Sequence, residues 1–324
     1  MTPASASTPA IGFGCASLGS RVAKADGLAA LARAYEAGIT WFDVAPAYGD
    51  GQAESILGDF VRDRGSVQVV TKVGLVPGDV SMAKRLLRPV ARAALGAMPG
   101  LRGAIRRARP ANEKVPLTGD VISASIDASL SRLGLDQVEA LMLHDATIDD
   151  VRDAGVVRAL GEVLASGKAR HVGIASSVEV VLAGRAASDL YSLFQVANNP
   201  FQRATAVAAA IGKGASTNRL VTHSVLGADG HVERLVRLMG ADADVARAMA
   251  DAGYDESPRA AAVAFMTDYA LTTQGVDVVL MSMFQPRHMA ANLARIDRMR
   301  SAGTRPGVSA VLAMIDHHLT RREL

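Results

Sequence analysis

The chain has 324 residues, of which 49% are apolar, 4% aromatic and 21% charged, and its formal net charge is +3. That length allows two domains or one large barrel, and so small a charge gives no argument for nucleic acid as a partner. A single cysteine, Cys15, excludes an internal disulfide framework and a cysteine cluster for a metal, so no metal is expected.

Residues 1–10 lack the basic-then-apolar pattern of a secretory signal and read as a short disordered lead. No apolar run reaches the roughly 18 residues that cross a bilayer, so no membrane role is expected and the cytoplasm is the expected location. After the lead, strand-like and helix-like segments alternate. Residues 9–15 form a short strand ending in glycines, and 25–37 have helical periodicity that stops at Gly38. Strands are expected at 39–44 and at the β-branched run 67–73, with a helix at 54–64 between them. The next helix–strand pairs are 119–133 with 140–144, 154–166 with 169–175, 178–188 with 193–197, and 204–211 with 219–224. A helical stretch at 231–252 interrupts the alternation, which then resumes with helix 258–271, strand 276–281 and helix 286–299. A last helix, 308–317, is expected to pack outside.

Eight strands alternating with helices imply parallel pairing, and at this length a (β/α)8 TIM barrel is the best single architecture for residues 1–324 as one domain. An open doubly wound sheet is the alternative, but no G-x-G-x-x-G follows a strand at the start of a helix, and Gly12-Phe13-Gly14 does not meet that pattern. Extra helices are expected toward the C-terminus. One segment, 76–117, interrupts the barrel with nine Lys and Arg residues against Asp79 and Glu113. It follows the third strand, so it belongs at the mouth of a barrel, where it reads as a lid admitting anionic substrates or as a solvated basic insertion.

Four polar residues close strand-like runs: Asp43 and Tyr48 in WFDVAPAYGDG, Lys72 in VQVVTKVG, and His144 in EALMLHDA. Singly they are a turn residue, a loop aromatic, a solvated charge and a core histidine. Together, at the C-terminal ends of neighbouring barrel strands, they make a proton-transfer site. A lysine ammonium favours the phenolate of a nearby tyrosine, whose ordinary pKa near 10 is otherwise high for exchange at neutral pH. The expectation is therefore a Tyr48 whose pKa is depressed by Lys72, with Asp43 holding Lys72 charged.

The stretch GITWFDVAPAYGDGQAESILGDFV, followed by VVTKVG and LMLHDA, resembles the aldo-keto reductase family, with a likeness to its bacterial sugar-dehydrogenase branch. The F-D-[TS]-A-x-x-Y-G motif is met by Phe42, Asp43, Ala45, Tyr48 and Gly49, with Val44 in place of the hydroxyl residue. The resemblance implies a (β/α)8 barrel that reduces carbonyls with a nicotinamide cofactor. In it Tyr48 is the acid or base, Asp43 and Lys72 tune it, and His144 orients the carbonyl.

The resemblance also implies cofactor contacts. Gly14 and Cys15 lie where the family's backbone runs near the cofactor, Cys15 reading as a small structural residue. Gln195 is matched to a glutamine that holds the nicotinamide carboxamide. Ala175 and Ser176 replace a Ser-Asn pair. His223, ahead of Ser224 and Leu226, replaces a tyrosine that stacks on the nicotinamide ring. Ser282 and His288 replace a lysine and an arginine at the adenosine phosphate, while Asn292 is kept and Arg287 stands adjacent. These changes leave NADP(H) favoured and NAD(H) open. The expected substrate is a small carbonyl compound or sugar lactol, in a monomer or small homo-oligomer. Two alternatives remain open at this point: a catalytically silent, cofactor-binding regulatory protein, and an aldolase with Lys72 as its Schiff-base amine.

Overall fold

The computed structural model describes residues 9–78, 112–211, 218–227, 230–302 and 307–323. Most of the expected lead and most of the basic insertion lie outside the described residues. Eight parallel strands close a barrel: β1 (Ala10–Gly14), β2 (Trp41–Asp43), β3 (Gln68–Val73), β6 (Val138–His144), β7 (Ala169–Ala175), β8 (Tyr191–Ala197), β9 (Arg219–His223) and β10 (Val278–Met281). Neighbours run in that order and β10 returns to β1, giving the (β/α)8 architecture expected.

Around the barrel stand α1 (Lys24–Glu36), α2 (Ala53–Val61), α3 (Gly119–Leu133), α4 (Ile148–Arg152), α5 (Ala154–Ala165), α6 (Val178–Ala187) and α7 (Thr205–Ile211). They are followed by α8 (His231–Ala241), α9 (Ala243–Asp251), α10 (Pro258–Thr272), α11 (Pro286–Ala302) and α12 (Val308–Glu323). Local chemistry sets their ends. Thr118 caps α3 by accepting from the Val121 amide, and Gly134 ends it at φ 65° with its amide on the Leu130 carbonyl. Thr147 and Asp150 form a capping box at α4.

The expected helical stretch over 231–252 is present as two helices. Asp242 takes an extended conformation, φ −133° and ψ 112°, and its carboxylate accepts from the Asp244 and Val245 amides. A capping aspartate thus restarts the helix where periodicity alone shows no break. A short antiparallel ribbon of β4 (Leu75–Val76) and β5 (Glu113–Lys114) also stands beside the barrel, flanking the basic insertion. Gly74 makes the bend into it at φ 125°, where a Cβ would sit 2.6 Å from the His144 carbonyl oxygen.

Burial is layered. Trp41, Val70, Ala140, Met142, Leu193, Val221, Val278 and Leu280 fill the barrel interior below the mouth. Gly12 serves this packing, since a Cβ there would meet Leu280 at 2.5 Å and Trp41 at 2.8 Å. A larger apolar layer joins the outer strand faces to the helices. A separate cluster unites α8, α9, α10 and α12, so the last helix packs outside the barrel, as its sequence suggested. No helix among the described residues is long and apolar enough to cross a membrane.

Candidate active site

Strand register brings the chemistry to one rim. Asp43 ends β2 opposite Val70, and Lys72 sits two residues further along β3, opposite Met142. His144 ends β6 opposite Ala175, which in turn faces Gln195, and Ala197 faces His223. Side chains alternate faces along a strand, so Val70 and Lys72 share the interior face, with Val70 below as packing and Lys72 above as chemistry. Tyr48 arrives by a 3-10 turn, Tyr48–Gly51, whose Gly49 and Asp50 have φ of 62° and 56°. The sharp turn folds the phenol back over the rim.

The four expected residues converge. Lys72 Nζ donates to Asp43 Oδ1 at 2.7 Å and to the Val44 carbonyl at 3.1 Å. Both charged side chains are buried, with residue exposures of 1% for Lys72 and 3% for Asp43. The ammonium lies 4.8 Å from the centre of the Tyr48 ring, and the rings of Tyr48 and His144 meet edge-on at 5.7 Å and 85°.

Burial opposes every charge here, and the neighbours decide the outcome. For Lys72, desolvation is the largest influence and favours the neutral amine, but Asp43 and Tyr48 together outweigh it and raise its pKa. The pair is therefore ionic, although burial pushes the Asp43 carboxyl upward against the pull of Lys72. His144 is driven down to about 3 by burial first, then by Lys72 and His223, and it stays a neutral imidazole.

Tyr48 corrects an expectation. Lys72 does lower its pKa, but burial, assisted by Asp43, acts more strongly and leaves it raised. A raised phenol keeps its proton at neutral pH. Cys15 is fully buried beside this group, its thiol 3.8 Å from the Phe13 carbonyl and its pKa pushed upward by burial. It has the character of a packing residue and not of a nucleophile.

The residues matched to a cofactor have different surroundings. Gln195 is 3% exposed, and its Oε1 is buried with no hydrogen-bond partner. A buried amide carbonyl without a donor fits the N–H of a nicotinamide carboxamide. His144 Nδ1 is likewise buried without a partner. Ser176 spends its hydroxyl on the Ala146 carbonyl at 2.9 Å. Ser282 donates to the Gly14 carbonyl at 3.1 Å, and His223 Nδ1 lies 2.8 Å from Ser224 Oγ. Leu226 is exposed, as are Arg287 and His288 in the first turn of α11, with Asn292 further along that helix. The residues present thus fit a nicotinamide dinucleotide, with a polar hold at the nicotinamide end and a cation at the other.

Sequence reasoning missed the layer behind Lys72. Buried Glu54 on α2 accepts from Thr71 Oγ1 and from Arg132 Nε, both at 2.6 Å, and so fastens the lysine's strand to α2 and α3. It also missed the tie between Lys114 and Asp145, 3.1 Å apart, which joins the β4–β5 ribbon to the residue after His144. A glutamate inside an apolar helix was the available signal for the first; nothing local marked the second.

A closed (β/α)8 barrel with a tyrosine, lysine, aspartate and histidine gathered at its C-terminal rim defines a class of enzyme-like barrels. The sequence model of the Aldo/keto reductase family matches residues 10–300, and the chain belongs to that family. Among curated relatives, a D-threo-aldose 1-dehydrogenase from a Pseudomonas species is 33% identical over 186 residues, covering 54% of this chain and 52% of that protein. A pyridoxal 4-dehydrogenase from Microbacterium luteolum is 32% identical over 182 residues, covering 51% of each. The chain thus matches about half the length of these two relatives. Among solved structures, an aldo-keto reductase from Klebsiella pneumoniae in complex with NADPH has a TM-score of 0.58 at 17% identity, covering 90% of this chain and 86% of that one.

Proposed function

We propose that the protein is a nicotinamide-dependent oxidoreductase acting on an aldehyde, a ketone or a sugar lactol, with Tyr48 as its acid and base. The observation that carries this reading is the buried Lys72–Asp43 pair, 2.7 Å apart, with Lys72 over the Tyr48 ring and the His144 ring edge-on to that tyrosine.

A bound reduced nicotinamide supplies the hydride that converts a carbonyl to an alcohol. The chain's own groups manage the oxygen. His144, neutral, donates to the carbonyl oxygen and shares its growing negative charge. Tyr48 gives that oxygen its phenolic proton, and Lys72 steadies the phenolate left behind. Asp43 keeps Lys72 protonated and aimed. In oxidation Tyr48 would take the alcohol proton back. Gln195 would hold the carboxamide of the nicotinamide.

The relatives' names favour an aldose or an aromatic aldehyde as substrate. NADP(H) is the preferred cofactor in this reading, because exposed Arg287 at the start of α11 suits a 2′-phosphate better than a bare ribose. The aldolase reading is disfavoured, since a Schiff-base amine must be neutral and Lys72 is held protonated. The test is separate titration with NADPH and NADH, followed by cofactor absorbance against aldehydes and aldoses. Binding of neither cofactor sinks the proposal; binding without turnover of any carbonyl moves it to a silent, regulatory protein.

A further inference from the structure

Ser224 holds a backbone conformation that few residues other than glycine adopt, with φ at 54°. Two hydrogen bonds pin it there. Its carbonyl accepts from the Gly227 amide at 2.7 Å and from Asn199 Nδ2 at 3.1 Å. Asn199 is fully buried, and its own Oδ1 accepts from the Phe201 and Gln202 amides at 3.0 and 3.1 Å. The shelf beneath Ser224 is therefore rigid. Strain of this kind persists where the surroundings over-determine it, and it gathers at functional sites.

A glycine would make the same turn without strain, but it would lack the hydroxyl. That hydroxyl lies 2.8 Å from Nδ1 of His223, the last residue of β9. His223 stands two residues beyond interior Val221 on β9, opposite Ala197, so its ring faces the same mouth. An imidazole is smaller than a phenol. Unbonded, it can rotate about χ2 and exchange tautomers.

We propose that Ser224 is a positioning residue, whose hydroxyl donates to Nδ1 of His223 and so holds one rotamer and the Nε2–H tautomer of a ring that walls the nicotinamide site. The tether stands on the geometry alone; the wall rests on the proposed function. The small ring is held by a hydrogen bond where a larger aromatic would be held by its area.

The test is ring-nitrogen NMR of the 15N-labelled full chain without cofactor, with His223 assigned by the loss of its signals in His223→Phe. The expected result is one neutral tautomer with well-separated Nδ1 and Nε2 signals, which converge toward an averaged position in Ser224→Ala. Ser224→Gly, which relieves the backbone, should converge in the same way and guards against a failure of the alanine variant to fold. Signals that stay separated in Ser224→Gly overturn the tether. In turnover, Ser224→Gly should lower kcat roughly three- to tenfold in the wild-type background, and less than about twofold beside His223→Phe. Equal losses in both backgrounds overturn the positioning role. If neither nicotinamide cofactor binds, the wall falls with the proposed function, while the ring-nitrogen result still decides the tether.

Discussion

Lys72 Nζ stands 2.7 Å from Asp43 Oδ1, and the two side chains keep only 1% and 4% of their surface exposed. Removing one member of such a pair strands the other charge in a medium that solvates it poorly. Lys72→Met should therefore destabilise the fold by about 3–5 kcal/mol, and adding Asp43→Asn should recover part of that loss. Urea unfolding of the single and double variants measures both. A single-variant loss under about 1 kcal/mol would mean the pair is not closed to water.

Two histidines at the rim set the response to acid. His144 is held down to about 3 and His223 to about 4, both chiefly by burial, against an ordinary value of 6.5. The unfolded chain takes up these protons below pH 6.5 while the folded one does not, so stability is lost as pH falls from there toward the folded values. Between pH 7 and pH 5 each ring should cost at most about 2 kcal/mol. Urea midpoints at the two pH values should show the drop, and it should shrink in a His144→Gln, His223→Gln double variant.

Tyr48 gives the opposite pH signature. Its pKa is raised by burial, so the phenol keeps its proton across the neutral range. Carbonyl reduction should be flat with pH there, whereas alcohol oxidation, which needs the phenolate, should rise toward alkaline pH. Rates measured in both directions across pH check this. A reduction limb near neutrality would point to another acid.

Gln195 separates binding from folding. Its buried Oε1 has no partner, and its side chain gives the folded chain one hydrogen bond, to the Asp43 carboxylate. Gln195→Leu should change unfolding free energy by no more than about 1 kcal/mol, yet weaken nicotinamide binding roughly tenfold. Fluorescence titration beside urea unfolding compares the two. A large loss of stability with unchanged affinity would make Gln195 a packing residue.

Arg287 carries the cofactor preference. It is exposed in the first turn of α11. Arg287→Ala should raise the Kd of NADPH about tenfold or more, and that of NADH less than about twofold. Equal effects on both cofactors would remove the 2′-phosphate from its role.

Much of this was legible beforehand because strand ends advertise themselves. Asp43, Lys72 and His144 each follow an apolar run, and parallel strands bring such ends to one rim. Tyr48 was legible from its motif, although its two-residue excursion through positive φ was not. The β4–β5 ribbon escaped because each strand has two residues and the two are far apart in sequence. The break at Asp242 escaped because helix-forming residues continue on both sides of it. The direction of the Tyr48 shift depended on depth of burial, which no local pattern records. Lys72 and burial pull opposite ways, and only the folded environment says which wins. Ser224 could not be seen as strained before Asn199, some 25 residues earlier, was found beneath it.

The central claim is that Tyr48 completes a hydride transfer to a carbonyl. The most direct measurement incubates wild type and Tyr48→Phe with C4-deuterated NADPH, or NADH, and a panel of aldoses and aldehydes. Wild type should place deuterium on the former carbonyl carbon. Tyr48→Phe should lose roughly a hundredfold or more of that transfer and still bind cofactor normally. Deuterium transfer by Tyr48→Phe at the wild-type rate, or none from wild type to any carbonyl, would contradict it.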